Sequence, residues 1–254
     1  MNEDTMKHWR IFSTALFAMV LAAGFAPAQV SSSAAVDLKS SDPKIRAKAA
    51  RELGQRGDLS DVKPLSEALS DSSVKVRHEV VLALSSFHSP DALDALITAS
   101  RDADPDVRTD AGHGLVGYYT GKSPSFGFVA FWQRTWRTAK SRFVEENVRI
   151  DPSVKVDPKV VTALVTVMKD SSVIKPAREA ADGLGILLAR DAVPDLVAAA
   201  GAQDEDLSLN ALNALTKIRD TSAGPKLVGL LDSPDKEVRR QAAVTVGILR
   251  ASEA

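Results

Sequence analysis

His78 and Glu79 are adjacent, and His113 lies 35 residues beyond His78, one repeat period plus one helical turn. Two imidazoles and one carboxylate make a donor set suited to iron or zinc. If the fold collects His78, Glu79 and His113 on one surface, a metal site is the expectation there. GYYTGKS, Gly117 to Ser123, imitates a phosphate-cradling loop. Such a loop needs four residues between its glycines and a strand before them. Here three residues separate Gly117 from Gly121, and Val116 stands where the first glycine belongs. The likeness fails. No G-x-S-x-G and no His-Glu-x-x-His is present, and the acids are scattered through turns rather than paired for acid–base work. With no cysteine, disulfides and thiolate chemistry are excluded. Nothing calls for a cofactor, and no enzyme is expected.

Two further groups carry charge or large rings. Arg46, Arg77 and Arg108 are spaced by 31 residues, and Arg239 restores the same local pattern near the C-terminus. They have the makings of a row of anion ligands. Acids interleave with them, however, so each is expected to grip a carboxylate of the preceding turn (Asp42, Asp71, Asp104) and tie repeats together. The second group is FVAFWQRTWRTAKSRF, Phe128 to Phe143, which holds two of the three tryptophans. On a helical projection Phe128, Phe131, Trp132 and Trp136 share one stripe, with Arg134 and Arg137 opposite. Aromatic residues and arginine dominate protein interfaces, so these six are the expected partner-binding residues. The same stripe also suits packing back onto the body of the protein, or lying on an anionic membrane surface.

The elements that must position these residues follow from a period of 31. Ala49, Val80 and Ala111 lie three residues after the arginines, and Leu53, Leu84 and Leu115 seven after. Ala180, Ala211 and Ala242 repeat the spacing, each followed four residues later by Leu184, Leu215 and Val246. Ala177 and Ser208 stand at the arginine position in repeats four and five. A second apolar stretch follows each time, as in Ala92 to Ile97 or Val193 to Ala198. Spacing of four is a helix face, Asp and Ser supply caps, and prolines open several of the second helices. The expectation is an all-α solenoid of about six two-helix repeats. The gap between Ala111 and Ala180 leaves an insertion of 38 residues in repeat three, at about 117–158, and eight of its residues from Tyr118 to Phe143 are aromatic.

The motif D-P-x-V-R-x-x-A-x-x-x-L, as in Asp104 to Leu115, resembles the short HEAT-like repeats first named for phycobilisome lyases. That resemblance spans Ser41 to the C-terminus apart from the insertion. It implies a solenoid and says little about function, because such repeats serve many tasks. The His-Glu pair distantly resembles the iron ligands of deoxyhypusine hydroxylase, a HEAT-like enzyme in which it occurs four times. Here it occurs once.

The chain has 254 residues and a formal net charge of −1, which argues against a nucleic-acid binder. From Met6 a basic region (Lys7, His8, Arg10), an apolar run Ile11 to Phe25 and Ala26-Pro27-Ala28 read as a signal peptide. Residues 1–28 are thus expected to be cleaved after Ala28, with an uncleaved anchor as the alternative, and the rest to lie outside the cytoplasm, periplasmic or extracellular. Residues 29–40 read as a linker and 41–254 as the repeat domain. The sixth repeat carries no second helix, so Val246, Ile248 and Leu249 are expected to be bare, with the C-terminal end self-associating or partnered, or the chain a truncated piece of a longer solenoid. The functional expectation is a non-enzymatic scaffold for a protein partner in the cell envelope.

Overall fold

The computed structural model describes residues 30–121, 148–170 and 172–251, and among them all regular structure is helical. α1 (Val30–Asp37) precedes five helix pairs. These are α2 (Pro43–Arg56) with α3 (Val62–Glu67), α4 (Val74–Leu84) with α5 (Pro90–Ala99), α6 (Pro105–Thr120) with α7 (Pro158–Lys169), α8 (Ile174–Ile186) with α9 (Val193–Ala200), and α10 (Glu205–Ile218) with α11 (Gly224–Leu227). A 3₁₀ stretch, Val228–Asp232, prolongs α11, and α12 (Lys236–Ala251) follows. First helices stack on first helices and second helices on second helices, in two layers. This is the α-solenoid that the period predicts.

The helix starts are set by local chemistry. Asp42, Asp104 and Asp157 lie in extended backbone and accept N–H bonds from the first turns of α2, α6 and α7, with proline at the opening of each. The positions three and seven after the arginine register supply the core: Ala49, Val80, Ala111, Ala180, Ala211 and Ala242, then Leu53, Leu84, Leu115, Leu184, Leu215 and Val246, are all buried.

A close seam joins successive first helices. A Cβ on Gly54 would lie 2.7 Å from the Cα of Ala83, and one on Gly185 would lie 2.6 Å from the Cα of Ala214. Gly114 faces Ser85 and Gly183 faces Val116 at comparably short range, while Thr216 and Thr245 hydrogen-bond at 3.0 Å. In every case the residue eight after the arginine register meets the residue six after it in the next repeat. One side of each contact is small or both sides are polar, because two full side chains do not fit there.

Two expectations are corrected. Residues 29–40 are not a plain linker: α1 occupies Val30–Asp37, with Ala34 and Leu38 buried against α2. The serine-rich stretch is weakly helical by itself, and packing of that i, i+4 pair on the first repeat stabilises it. The last helix does not leave Val246 and Leu249 bare; both are buried, and Ile248 is half-buried. That face of α12 lies on α11 and its 3₁₀ extension, the second helix of the repeat before.

Candidate interaction surface

Two of the ladder arginines form a shared clamp. Arg46 donates from Nε and Nη2 to Asp71 at 2.6 and 2.8 Å, and from Nη1 to the Ser40 carbonyl at 2.9 Å. Arg77 does the same with Asp102, at 2.7 and 2.8 Å, and with the Asp71 carbonyl at 2.9 Å. The carboxylates are therefore not the expected ones. Asp42 is spent on the Lys44 N–H, and Asp104 on the N–H groups of Asp106 and Val107. The preceding turn instead offers carbonyls, and the carboxylate comes from the turn that follows. The hydrogen bonds from Arg46 hold the Asp71 carboxyl below the ordinary range, against some desolvation.

Arg108 keeps the backward half of the clamp, donating from Nη1 to Asp102 and Ala103 carbonyls at 2.8 and 3.1 Å. Its forward half is slack: Asp170 lies 3.5 Å from Nη2, and the buried Nε has no partner among the described residues. Arg239 also bonds backward, to the Ser233 and Pro234 carbonyls at 2.6 and 2.9 Å, and meets no carboxylate among the described residues. In repeat four the clamp moves to Arg178, which grips Asp204 from Nε at 2.9 Å.

The residues of the metal expectation are distributed over three different inter-repeat pairs. Glu79 is buried and receives a forked bond from Arg51. His78 Nδ1 lies 2.6 Å from Asp110, and His113 Nε2 lies 3.2 Å from Glu179. The bond to Asp110 raises the His78 pKa, with desolvation opposing it. Among the described residues no group of three His, Cys, Asp or Glu side chains is arranged to hold a metal ion. The register explains these rungs. Arg51 and His113 stand five residues after their ladder arginines, and Glu79, Asp110 and Glu179 stand two after the ladder position. In repeat two the fifth position is Leu82, so His78 reaches Asp110 in its place. The same regularity is legible in the aligned repeats, where His78 and Glu79 stand one and two residues after Arg77. Gly112 to Gly117 has the G-x-G-x-x-G spacing of a dinucleotide-binding turn, which needs a strand before it. It lies wholly inside α6, and its Gly114 serves the seam.

The six expected partner-binding residues, Phe128, Phe131, Trp132, Arg134, Trp136 and Arg137, lie outside the described residues, as does the signal-like segment 1–28. The root of the insertion is described. α6 ends at Gly121 in left-handed backbone (φ 66°). On the return, Ile150 is buried and donates its N–H to the Ile186 carbonyl at 3.0 Å, and Tyr119 Oη accepts the Asp157 N–H at 2.9 Å. Burial pushes the Tyr119 phenol upward. Tyr118 packs edge-on against Tyr119 at 5.1 Å and stacks on His88 at 6.0 Å. A cleft of about 390 Å³ opens between the outgoing and returning segments of this root, lined by Tyr119, Thr120, Arg149, Ile150 and Val154 among others. No described helix is long and apolar enough to cross a membrane.

A family model described as HEAT repeats matches residues 34–116 and 157–246. No curated protein matches the chain. Among solved structures the chain is similar to an engineered protein at 20% identity, covering 86% of this chain and 98% of that one, with a TM-score of 0.51. It is similar to the complex of CpcE and CpcF of phycocyanin lyase from Nostoc sp. PCC7120, at 20% identity over 87% of this chain and 78% of that one, TM-score 0.50. A designed armadillo repeat protein in complex with the peptide (KR)4 is 18% identical over 85% and 98%, TM-score 0.50. At these identities the likeness is one of fold.

Proposed function

Because the chain belongs to the HEAT-repeat family, we propose that it is a non-enzymatic protein-interaction scaffold, exported to the cell envelope, whose insertion provides a partner contact. The observation that carries this reading is the use made of the polar residues. Those with the types for chemistry (His78, Glu79, His113, Arg46 and Arg77) are engaged in holding repeats to each other. What the fold offers outward is an extended surface, with one non-repeat segment rooted in it on both sides by Asp157–Tyr119 and Ile150–Ile186. The fold neighbours lend support of the same kind: one is a two-chain complex and another is bound to a peptide. The envelope location rests on the sequence of residues 1–28. Cleavage after Ala28 would leave Gln29 directly before α1.

Affinity capture from the producing cells tests the partner contact, comparing intact protein with a form lacking residues 122–147. That deletion spares Ile150 and the Tyr119–Asp157 bond, so the solenoid should keep its helical spectrum. Loss of the captured protein, reproduced by Trp132→Ala with Trp136→Ala, is the expected result. Recovery of the same proteins by both forms would show that the insertion is structural. N-terminal sequencing of protein from the envelope fraction, expected to start at Gln29, tests the location.

A further inference from the structure

α6 carries the insertion, and histidine joins it to the first helix on either side. His78 of α4 lies 2.6 Å from Asp110 of α6, and His113 of α6 lies 3.2 Å from Glu179 of α8. The third histidine of residues 29–254, His88, stacks on Tyr118 near the end of the same helix. Elsewhere the rungs are permanent cations: Arg51–Glu79 joins α2 to α4, and Arg178–Asp204 with Lys217–Asp182 joins α8 to α10. Guanidinium and ammonium groups keep their charge through neutrality, whereas imidazole loses its own between about pH 5 and 8. The other contacts of α6 are the yielding ones. On its α8 side the Arg108 clamp is slack, and the Lys175–Asp106 pair is exposed, where such pairs contribute little. A Cβ on Gly54 or Gly185 would meet a backbone Cα. At Gly114 and Gly183, the seams on the two sides of α6, the nearest atoms are Ser85 Oγ and Val116 Cγ2, which can rotate aside.

We propose that α6 is a pH-gated joint: charged His78 and His113 fasten it to α4 and α8, and their neutral forms release it together with the root of the insertion. The proposal rests on the scaffold reading for its purpose, because the joint governs how the insertion is presented; the fastening itself is a property of the chain alone. The other charges around the two imidazoles are committed. Asp106 is bonded to Lys175 of α8, Glu79 to Arg51 of α2, and Asp182 to Lys217 of α10. Arg77 and Arg178, beside His78 and Glu179 in sequence, are clamped on Asp102 and Asp204. On the other face of α6, α5 and α7 set Asp94 and Lys159 against each other at 3.4 Å. Asp110 is buried and the Glu179 side chain is 17% exposed, so a neutral imidazole leaves each carboxylate desolvated beside a weaker partner. The bond to Asp110 raises the His78 pKa against desolvation, with Glu79 and Asp106 adding to it. Its share of the fastening is therefore complete below about pH 6.5 and is lost as pH rises through the folded value. The root follows because Tyr119, which accepts the Asp157 N–H, is part of α6.

Amide hydrogen exchange on the full chain without a partner tests the joint, at about pH 5.5 and about pH 8, the two sides of the imidazole range. Protection factors, corrected for the intrinsic pH dependence of exchange, are the readout. Protection in α6, and at the Asp157 amide bonded to Tyr119, should fall about tenfold or more toward the higher pH, while α2 and α10 change less than about twofold. His78→Arg with His113→Arg should keep α6 protected at both pH values, since Arg51 already serves at the register position of His113. Unchanged protection of α6 in the unaltered chain, a fall shared equally by α2 and α10, or a fall that persists in the double arginine variant would each overturn the proposal. The exchange needs no partner, so its failure is distinct from a failure of the capture experiment, which tests the scaffold reading.

Discussion

Gly185 and Gly247 occupy the same register, eight residues after Ala177 and Arg239, and both lie inside helices. The same substitution to alanine should act in opposite directions at the two. At Gly185 the new Cβ would sit 2.6 Å from the Cα of Ala214 and 2.8 Å from its Cβ. Carbon atoms pack at about 3.5–4.0 Å, so α8 and α10 must part by about 1 Å. Because the obstacle is backbone, the strain belongs at the upper end of overpacking costs, about 3 kcal/mol. Alanine in place of glycine inside a helix returns about 1 kcal/mol. The net expectation is about 2 kcal/mol of destabilisation, with the half-buried Lys217–Asp182 bond (2.8 Å) disturbed as well. At Gly247 only the propensity gain of about 1 kcal/mol operates, because nothing lies within 4 Å. Urea unfolding followed by far-UV circular dichroism should separate the two variants by about 3 kcal/mol, or roughly 10 °C in thermal midpoint. If Gly185→Ala is as stable as Gly247→Ala, the close seam between first helices is wrong, and so is the register argument built on it.

Removing one clamp should cost less than opening the seam. Arg77→Ala leaves Asp102 without its forked partner, and about 2 kcal/mol of lost stability in chemical denaturation is expected, while Arg77→Lys recovers part of it. The pairing with Asp110 raises the His78 pKa in the folded protein, so its contribution is complete below the unfolded value near 6.5 and is lost as pH rises through the folded value. Thermal midpoints across that window should therefore fall with rising pH, and His78→Gln should flatten that segment of the profile; an NMR titration of His78 checks the direction. The Asp71 and Asp204 carboxyls, lowered chiefly by hydrogen bonds from Arg46 and Arg178, work the other way: their contribution is present above pH about 4 and is lost as pH falls through the depressed values. Arg219 ends α10 in left-handed backbone (φ 57°), where Gly57 ends α2 (φ 70°), so Arg219→Gly should gain about 0.5 kcal/mol, relief of strain exceeding the added chain entropy.

The period of 31 made the fold legible because it is a local signal. Each helix pair announces itself through alanines and leucines four apart, and no distant residue is needed to recognise it. What sequence spacing could not supply was the direction in which a side chain reaches from one repeat to the next. Arg46 has Asp42 four residues before it and Asp71 twenty-five after, and only the stacking of α2 on α4 reveals that Asp42 is occupied by its own helix start. The C-terminal helix makes the same point: a first helix buries its core positions on the second helix of the repeat before it, so Val246 and Leu249 are covered without any following helix. The helix at Val30–Asp37 was illegible for another reason: its composition favours no structure, and Ala34 and Leu38 gain their partners only once α2 is in place.

Residue type misled most where it looked most chemical. His78 beside Glu79 suggests a ligand pair when the chain is read linearly, yet the two side chains serve different interfaces, toward Asp110 ahead and Arg51 behind. Numbering every residue from its ladder arginine removes the ambiguity. Acids at the second position and bases at the fifth become rungs, and glycines at the sixth and eighth become seam contacts. What that sorting leaves over is the root of the insertion, around Tyr119 and Ile150. A solenoid uses its repeating register to hold itself together, so its recognition surface is to be sought in what the register leaves unmatched. The root of the insertion meets that criterion, because it breaks the repeat while being tied to it by the Tyr119–Asp157 and Ile150–Ile186 bonds.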